Sequence, residues 1–113
     1  MKINEYLYNL LKDLGNVYYF FPLEEIEIPY FCITEVSSDI NFFANFSLER
    51  KRFQIDYYSD TAEDCLETQN KLIKKFEDIY DVKNRYIEVI GSKLEKEGDL
   101  WRLIFEIYIH YRR

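Results

Sequence analysis

The side chains best suited to chemistry in this sequence are one histidine and two cysteines, and none has an evident partner. His110 is the only histidine, whereas a metal site or a general base needs further ligands or an orienting group. Cys65 follows two acidic residues, which is the reverse of the electropositive setting of a reactive thiolate. Cys32 lies in an apolar run. We therefore predict an incidental, exposed histidine, two buried thiols and no catalytic residue.

The acidic run Glu24-Glu25-Ile26-Glu27 is the remaining candidate for ion binding. Its spacing matches no calcium loop, and the glycine that such a loop needs is missing. The only glycines are Gly15, Gly91 and Gly98, which excludes a glycine-rich phosphate loop. We expect a solvated acidic loop, no metal, no cofactor and no enzyme.

The composition indicates a single sheet-rich domain. A chain of 113 residues has the usual length of one domain, and eleven Tyr and nine Phe against three Gly and two Pro favour strands with few tight turns. The net charge of −6 disfavours nucleic acid and anionic membranes as partners. The sequence shows neither a signal peptide nor a membrane span, and two cysteines make no disulfide framework, so we expect intracellular synthesis with free thiols.

Two amphipathic helices are predicted from the spacing of apolar residues. The first covers Ile3–Leu14, with Gly15 as its C-cap. The second covers Thr61–Phe76, is capped by Ser59 or Asp60, and ends near Ile79 or Tyr80. The predicted apolar face of the second helix consists of Ala62, Cys65, Leu66, Gln69, Leu72, Ile73 and Phe76.

Strands are predicted where β-prone residues alternate with polar ones. They are Val17–Phe21, Tyr30–Val36, Leu48–Tyr58, Tyr86–Leu94 and Leu100–Tyr111. The last two flank a hairpin turn at Gly98-Asp99. Residues 37–46 mix polar and aromatic side chains, so they either continue the sheet as a hairpin arm or form a loop that docks on another surface.

These elements predict an α+β fold, in which two helices pack on one face of a mainly antiparallel sheet of four to five strands, all within one domain over residues 1–113. The expected core consists of Leu7, Leu10, Leu11, Phe53, Ile55, Leu66, Leu72, Ile73, Phe105 and Ile107. The other face of the sheet is too mixed for a second core, so it is either solvated or a subunit interface.

The segment Phe42-Phe43-Ala44-Asn45-Phe46 is either a buried β-arm or an exposed assembly contact. As an assembly contact it would act together with the mixed sheet face and with the acidic loop, whose charges complement the arginines of that face. The predicted subunit interface therefore comprises Phe42, Phe43, Phe46, Arg50, Arg52, Arg102, Ile104, Tyr108, Glu24, Glu25 and Glu27.

The order of these features resembles the small tail-completion or tail terminator proteins of long-tailed bacteriophages and prophages. The N-terminal helix is followed by Val17-Tyr18-Tyr19 and then by the strand Ile28-Pro29-Tyr30-Phe31-Cys32-Ile33. The run from Phe53 to Ser59 leads directly into the second helix, and the end of the chain from Leu100 to Arg112 matches the aromatic and arginine-rich final strand of that family.

This resemblance implies a ring, usually a hexamer, that caps the head-proximal end of the tail tube, ends tube polymerisation and forms the joining surface for the head connector. The implied partners are other copies of the chain, the tail tube protein and the head-tail connector protein, with no membrane and no specific nucleic acid. The implied locations are the host bacterial cytoplasm during assembly and then the virion tail. Neither catalysis nor a cofactor is implied.

Two other functions remain open from the residues. One is a small dimeric α+β domain that binds a ligand or regulates another protein. The other is an adaptor for head completion, which would share the fold and differ in its partner.

Overall fold

The computed structural model describes residues 3–19, 27–42, 46–77, 80–81 and 85–112. This part of the chain contains two helices and six strands. They are α1 (Ile3–Leu11), β1 (Asn16–Tyr19), β2 (Tyr30–Phe42), β3 (Ser47–Ser59), α2 (Ala62–Glu77), β4 (Tyr80–Asp81), β5 (Arg85–Glu97) and β6 (Leu100–Arg112).

All six strands form one sheet in the order β1-β2-β3-β6-β5-β4. The pair β1–β2 is parallel and every other pair is antiparallel, which confirms the predicted α+β class with a mainly antiparallel sheet. The two-residue strand β4 was not predicted. The turn between β5 and β6 lies at Gly98-Asp99, as expected, and Gly98 has a φ of 62°, a backbone conformation that glycine adopts without steric cost.

Both helices contribute to one hydrophobic core on the same face of the sheet. The alternation of β3 and β6 places their odd-numbered residues under the helices, because side chains of a strand point alternately to the two faces. Of the predicted core, the residues that are fully buried are Leu7, Leu11, Phe53, Ile55, Leu72, Phe105 and Ile107. Leu10 and Ile73 are partly buried against the same cluster.

Leu66 was wrongly assigned to the core, since 48% of its surface is exposed. The buried residues of α2 are Cys65, Thr68, Leu72 and Phe76. Successive residues of a helix are rotated by about 100°, so Leu66 is turned to the flank of the helix when Cys65 points towards the sheet. Thr68, which is polar, occupies the inward position that the apolar pattern did not reveal.

The helix ends differ from the predictions by one to three residues. Helix α1 stops at Leu11, and the N–H of Leu14 donates to the Leu11 carbonyl at 2.9 Å. The cap of α2 is Thr61, whose Oγ1 accepts a hydrogen bond from the N–H of Asp64 at 3.1 Å, so the choice of Ser59 or Asp60 was wrong. Strand β4 begins at Tyr80, which excludes that residue from the helix.

Residues 37–42 continue β2 rather than forming a loop, which settles the alternative in favour of a hairpin arm. Strand β1 pairs with β2 only as far as Ile33, and no described strand flanks the outer edge of β2 beyond that point. Strands β2 and β3 remain paired up to Phe42 and Ser47. The molecule is correspondingly elongated, with extents of 52 × 29 × 21 Å.

Two register shifts interrupt the outer long strands at the same level of the sheet. One lies in β2 between Glu35 and Ser37, and the other lies in β5 between Val89 and Gly91. Glu35 pairs with Phe53, which pairs with Ile107, which pairs with Val89. The extra residues Val36 and Ile90 therefore stand at opposite edges of one cross-strand row, and each reverses the inward-outward alternation of its strand.

Candidate assembly interface

The face of the sheet opposite the helices, here called the open face, carries five of the predicted interface residues. On β3 these are Arg50 and Arg52, and on β6 they are Arg102, Ile104 and Tyr108. The register places Arg52 directly opposite Tyr108. The structure thus brings these five side chains onto one surface, and all five are partly exposed.

Three arginines of the open face, Arg50, Arg52 and Arg102, each form an ion pair with a carboxylate of their own chain. The Arg50 guanidinium lies 2.8 Å from Asp39, and Arg52 pairs with Glu106. Sequence reasoning expected the acidic loop to supply these partners across a subunit contact. Asp39 and Glu106 were missed because a cross-strand pair is visible only when the register of the strands is known.

The third pair, Arg102 with Asp56, is the most buried. Asp56 is fully buried although its strand position directs it to the open face. Its Oδ1 accepts a hydrogen bond from Arg102 Nε at 2.9 Å, and Gln54 Nε2 donates to its Oδ2 at 3.0 Å. A buried carboxylate without such partners would be strongly destabilising, so Arg102 has a structural role as well as a place on the open face.

Both cysteines are free and buried, as predicted. Burial raises the pKa of Cys32 to about 11, with the nearby Asp56 charge adding to the shift and Arg102 opposing it. Burial likewise raises the pKa of Cys65 to about 11. Thiols with such pKa values remain protonated at neutral pH and are poor nucleophiles.

Aromatic side chains line the open face near β1. The rings of Tyr30 and Tyr58 stack with centroids 5.1 Å apart, and Tyr18 contacts Tyr30 edge to face at 5.9 Å. The Arg102 guanidinium lies 5.7 Å from the Tyr58 ring centroid. Tyr18 and Tyr30 are partly exposed, so that end of the open face has an aromatic composition typical of subunit contacts.

A second aromatic cluster lies on the open face nearer to the end of the β2–β3 hairpin. The Arg50 guanidinium lies 4.3 Å from the Tyr108 ring centroid, a distance at which cation–π attraction is effective. The His110 ring stacks on Tyr86 with centroids 4.3 Å apart, and its Nε2 lies 2.8 Å from Glu88 Oε1. The prediction of an incidental, exposed histidine needs correction, because only 20% of the His110 side chain is exposed.

Of the aromatic segment at residues 42–46, here called the aromatic arm, the structure describes Phe42 and Phe46. Phe42 is 79% exposed at the end of β2, and Phe46 is half-buried before β3. Phe43 lies outside the described residues. The same holds for Glu24 and Glu25, whereas Glu27 is described and exposed.

Two further features were sought among the described residues, a metal site and a membrane-spanning helix. No group of three or more His, Cys, Asp or Glu among them is arranged to hold a metal ion. None of the helices in the described ranges is both long enough and apolar enough to cross a membrane.

A family model described as phage tail terminator protein matches residues 1–113 of the chain. The chain belongs to this family. It is therefore a structural, non-enzymatic component of a phage tail. This finding favours the tail protein over a ligand-binding or regulatory domain.

The fold is also found in a phage-like particle. A chain of a solved structure described as "Virion of native gene transfer agent (GTA) particle" superimposes with a TM-score of 0.64 at 12% identity, over 92% of this tail terminator and 84% of that chain. At this identity the likeness concerns the fold alone. A search of curated proteins found no match.

Proposed function

We propose that the protein caps the head-proximal end of the phage tail tube, ends tube polymerisation there, and provides the surface to which the head connector binds. The observation that carries this proposal is the match to the tail terminator family over residues 1–113. The presence of the same fold in a phage-like virion chain supports it.

The mechanism is differential binding, with no covalent step. A ring of subunits, most simply a hexamer that matches a six-fold tube, binds the last ring of the tube and presents a different surface on its far side. Another tube subunit finds no complementary contact there, so growth stops, whereas the connector does find one. Each contact must discriminate between partners, which shape and fixed polar groups provide.

The open face and the aromatic arm, which the sequence predicted as the subunit interface, are the surfaces proposed for contacts with other subunits of the tail. Arg50, Arg52, Arg102, Ile104 and Tyr108 contribute from the open face. The arm contributes Phe42, Phe43 and Phe46, and the acidic loop contributes Glu24, Glu25 and Glu27. Support comes from the 79% exposure of Phe42, since water around a large apolar side chain is unfavourable and a partner that covers the ring removes this cost.

The capping proposal is tested by tube growth in vitro. Tail tube protein of the same phage is polymerised from short seeds, with and without this protein, and tube lengths are measured by electron microscopy. We expect substoichiometric protein to stop growth. Phe42→Asp and Ile104→Asp should cap poorly. Leu66→Asp serves as the matched control, because Leu66 is exposed on α2, which packs on the face of the sheet opposite the open face. Tubes that reach the same length with and without the wild-type protein would refute the proposal.

Head joining is tested separately. Capped tubes and seeds without the cap are incubated with the purified connector protein and sedimented. We expect the connector to cosediment with capped tubes only. Binding to bare tubes alone would leave capping intact and remove the joining role.

A further inference from the structure

We propose that neighbouring copies in the ring meet edge to edge, with the outer edge of β2 of one copy against the outer edge of β5 of the next. This inference rests on the proposed ring and identifies the elements that close it. Within the described residues, β1 covers the outer edge of β2 only at Tyr30–Ile33, and β4 covers the outer edge of β5 only at Arg85 and Tyr86. Along the rest of the outer edges of β2 and β5, the backbone groups have no partner among the described strands.

The exposed apolar side chains are concentrated on these two strands. Among the large hydrophobic residues exposed in the described ranges, six of ten lie on β2 or β5. They are Val36, Ile40 and Phe42 on β2, and Tyr86, Val89 and Ile90 on β5. Isolated exposed apolar residues need no explanation, but their concentration on the two strands with uncovered edges indicates two contact surfaces.

The exposed bulges of the two edges also lie at the same height along the strands. Val36 is 51% exposed and Ile90 is 40% exposed, and both occupy the bulges that stand in one cross-strand row. Further along β5, Lys93 is exposed and charged, a device that discourages edge pairing. Both edges are therefore uncovered and apolar at the height of Val36 and Ile90.

The directions of β2 and β5 favour a second copy of the chain as the partner of these edges. Strands β2 and β5 run in opposite directions, because β2, β3, β6 and β5 are successively antiparallel. A second copy placed beside the first by rotation about an axis along the strands brings its β5 against β2 in an antiparallel arrangement. The contact joins two different surfaces, and heterologous contacts of this kind close into rings.

Cysteine cross-linking tests the pairing. The double variant Val36→Cys/Ile90→Cys is oxidised mildly, alone and on tail tubes, and separated on a non-reducing gel. We expect a ladder of cross-linked oligomers that ends at the size of the ring. The native cysteines are buried, so the wild-type protein should remain uncross-linked. Val36→Cys/Leu66→Cys is the matched control, because Leu66 is exposed on α2, and it should give no ladder.

Mixing experiments determine which edges meet. Val36→Cys protein mixed with Ile90→Cys protein should form cross-linked dimers, whereas Val36→Cys protein alone should not. Dimers from Val36→Cys alone would indicate a two-fold contact between like edges and overturn the proposal. Rings seen by light scattering or on tubes without the ladder would overturn the edge pairing but leave the capping function. If no ring forms under either condition, the ring itself is refuted.

Discussion

Truncating Leu72 should destabilise the protein far more than truncating Leu66, although both are leucines of the same helix. Leu72 is fully buried and Leu66 is 48% exposed. Replacing leucine by alanine removes three carbon groups, which are worth about 0.8 kcal/mol each when buried. The cavity left at a fully buried site raises the total cost to about 3–5 kcal/mol. At Leu66 water fills the space, so the cost should be about 1 kcal/mol or less.

The free energy of unfolding is compared by urea denaturation and the melting temperature by heating, both followed by circular dichroism. The protein must be monomeric at the concentration used, as verified by light scattering, because self-association adds to apparent stability. A domain of this size should lose about 10–20 °C in melting temperature on Leu72→Ala and a few degrees at most on Leu66→Ala. Equal losses at the two sites would refute the register of α2 on the sheet and the explanation of why Leu66 lies outside the core.

Three further outcomes are expected. Arg102→Ala should lower the free energy of unfolding, measured by urea denaturation, by about 3–5 kcal/mol, because it leaves the buried Asp56 carboxylate without its cation. Adding Asp56→Asn should recover part of that loss. If the single variant is as stable as wild type, the ion pair is not structural. Burial raises the pKa of Cys32 and Cys65 from about 9 to about 11, so the free energy of unfolding should decline as pH rises from about 9 to about 11. The stability of a Cys32→Ala/Cys65→Ala variant measured alongside should decline less. Identical slopes of stability against pH would count against buried protonated thiols. Phe42→Asp should leave the melting temperature within about 2 °C of wild type, since an exposed residue contributes little to stability, and a larger loss in a monomeric sample would show that the arm packs on its own subunit.

The helices, the strands and the core of the sheet could be predicted from local patterns. The alternation in Leu100–Tyr111 and in Leu48–Tyr58 identified the inward residues correctly, because one face of the sheet is covered and the other is not. Leu66 was misassigned because an apolar residue beside the true stripe fits a helical pattern almost as well as one within it.

The register of the strands and the two bulges could not be predicted from local sequence patterns. In β2 the inward positions are Phe31 and Ile33 before Val36, and Ser38 and Ile40 after it. The two halves of the strand therefore alternate out of phase, and residues 37–46 matched neither strand nor loop. The same lack of register hid the pairing of Arg50 with Asp39 and of Arg52 with Glu106, because each carboxylate lies on a neighbouring strand.

The pairing of Arg50, Arg52 and Arg102 with carboxylates of their own subunit has a consequence for any contact made through the open face. Contacts between separately charged surfaces weaken as salt rises, because mobile ions screen charges that lie more than about 8 Å apart at physiological ionic strength. Arg50 and Asp39 lie 2.8 Å apart, and Arg102 and Asp56 lie 2.9 Å apart, so these charges are already balanced at short range. We therefore expect a contact made through this face, as proposed above, to depend on aromatic packing and shape. Such a contact would change little in strength between low and high salt.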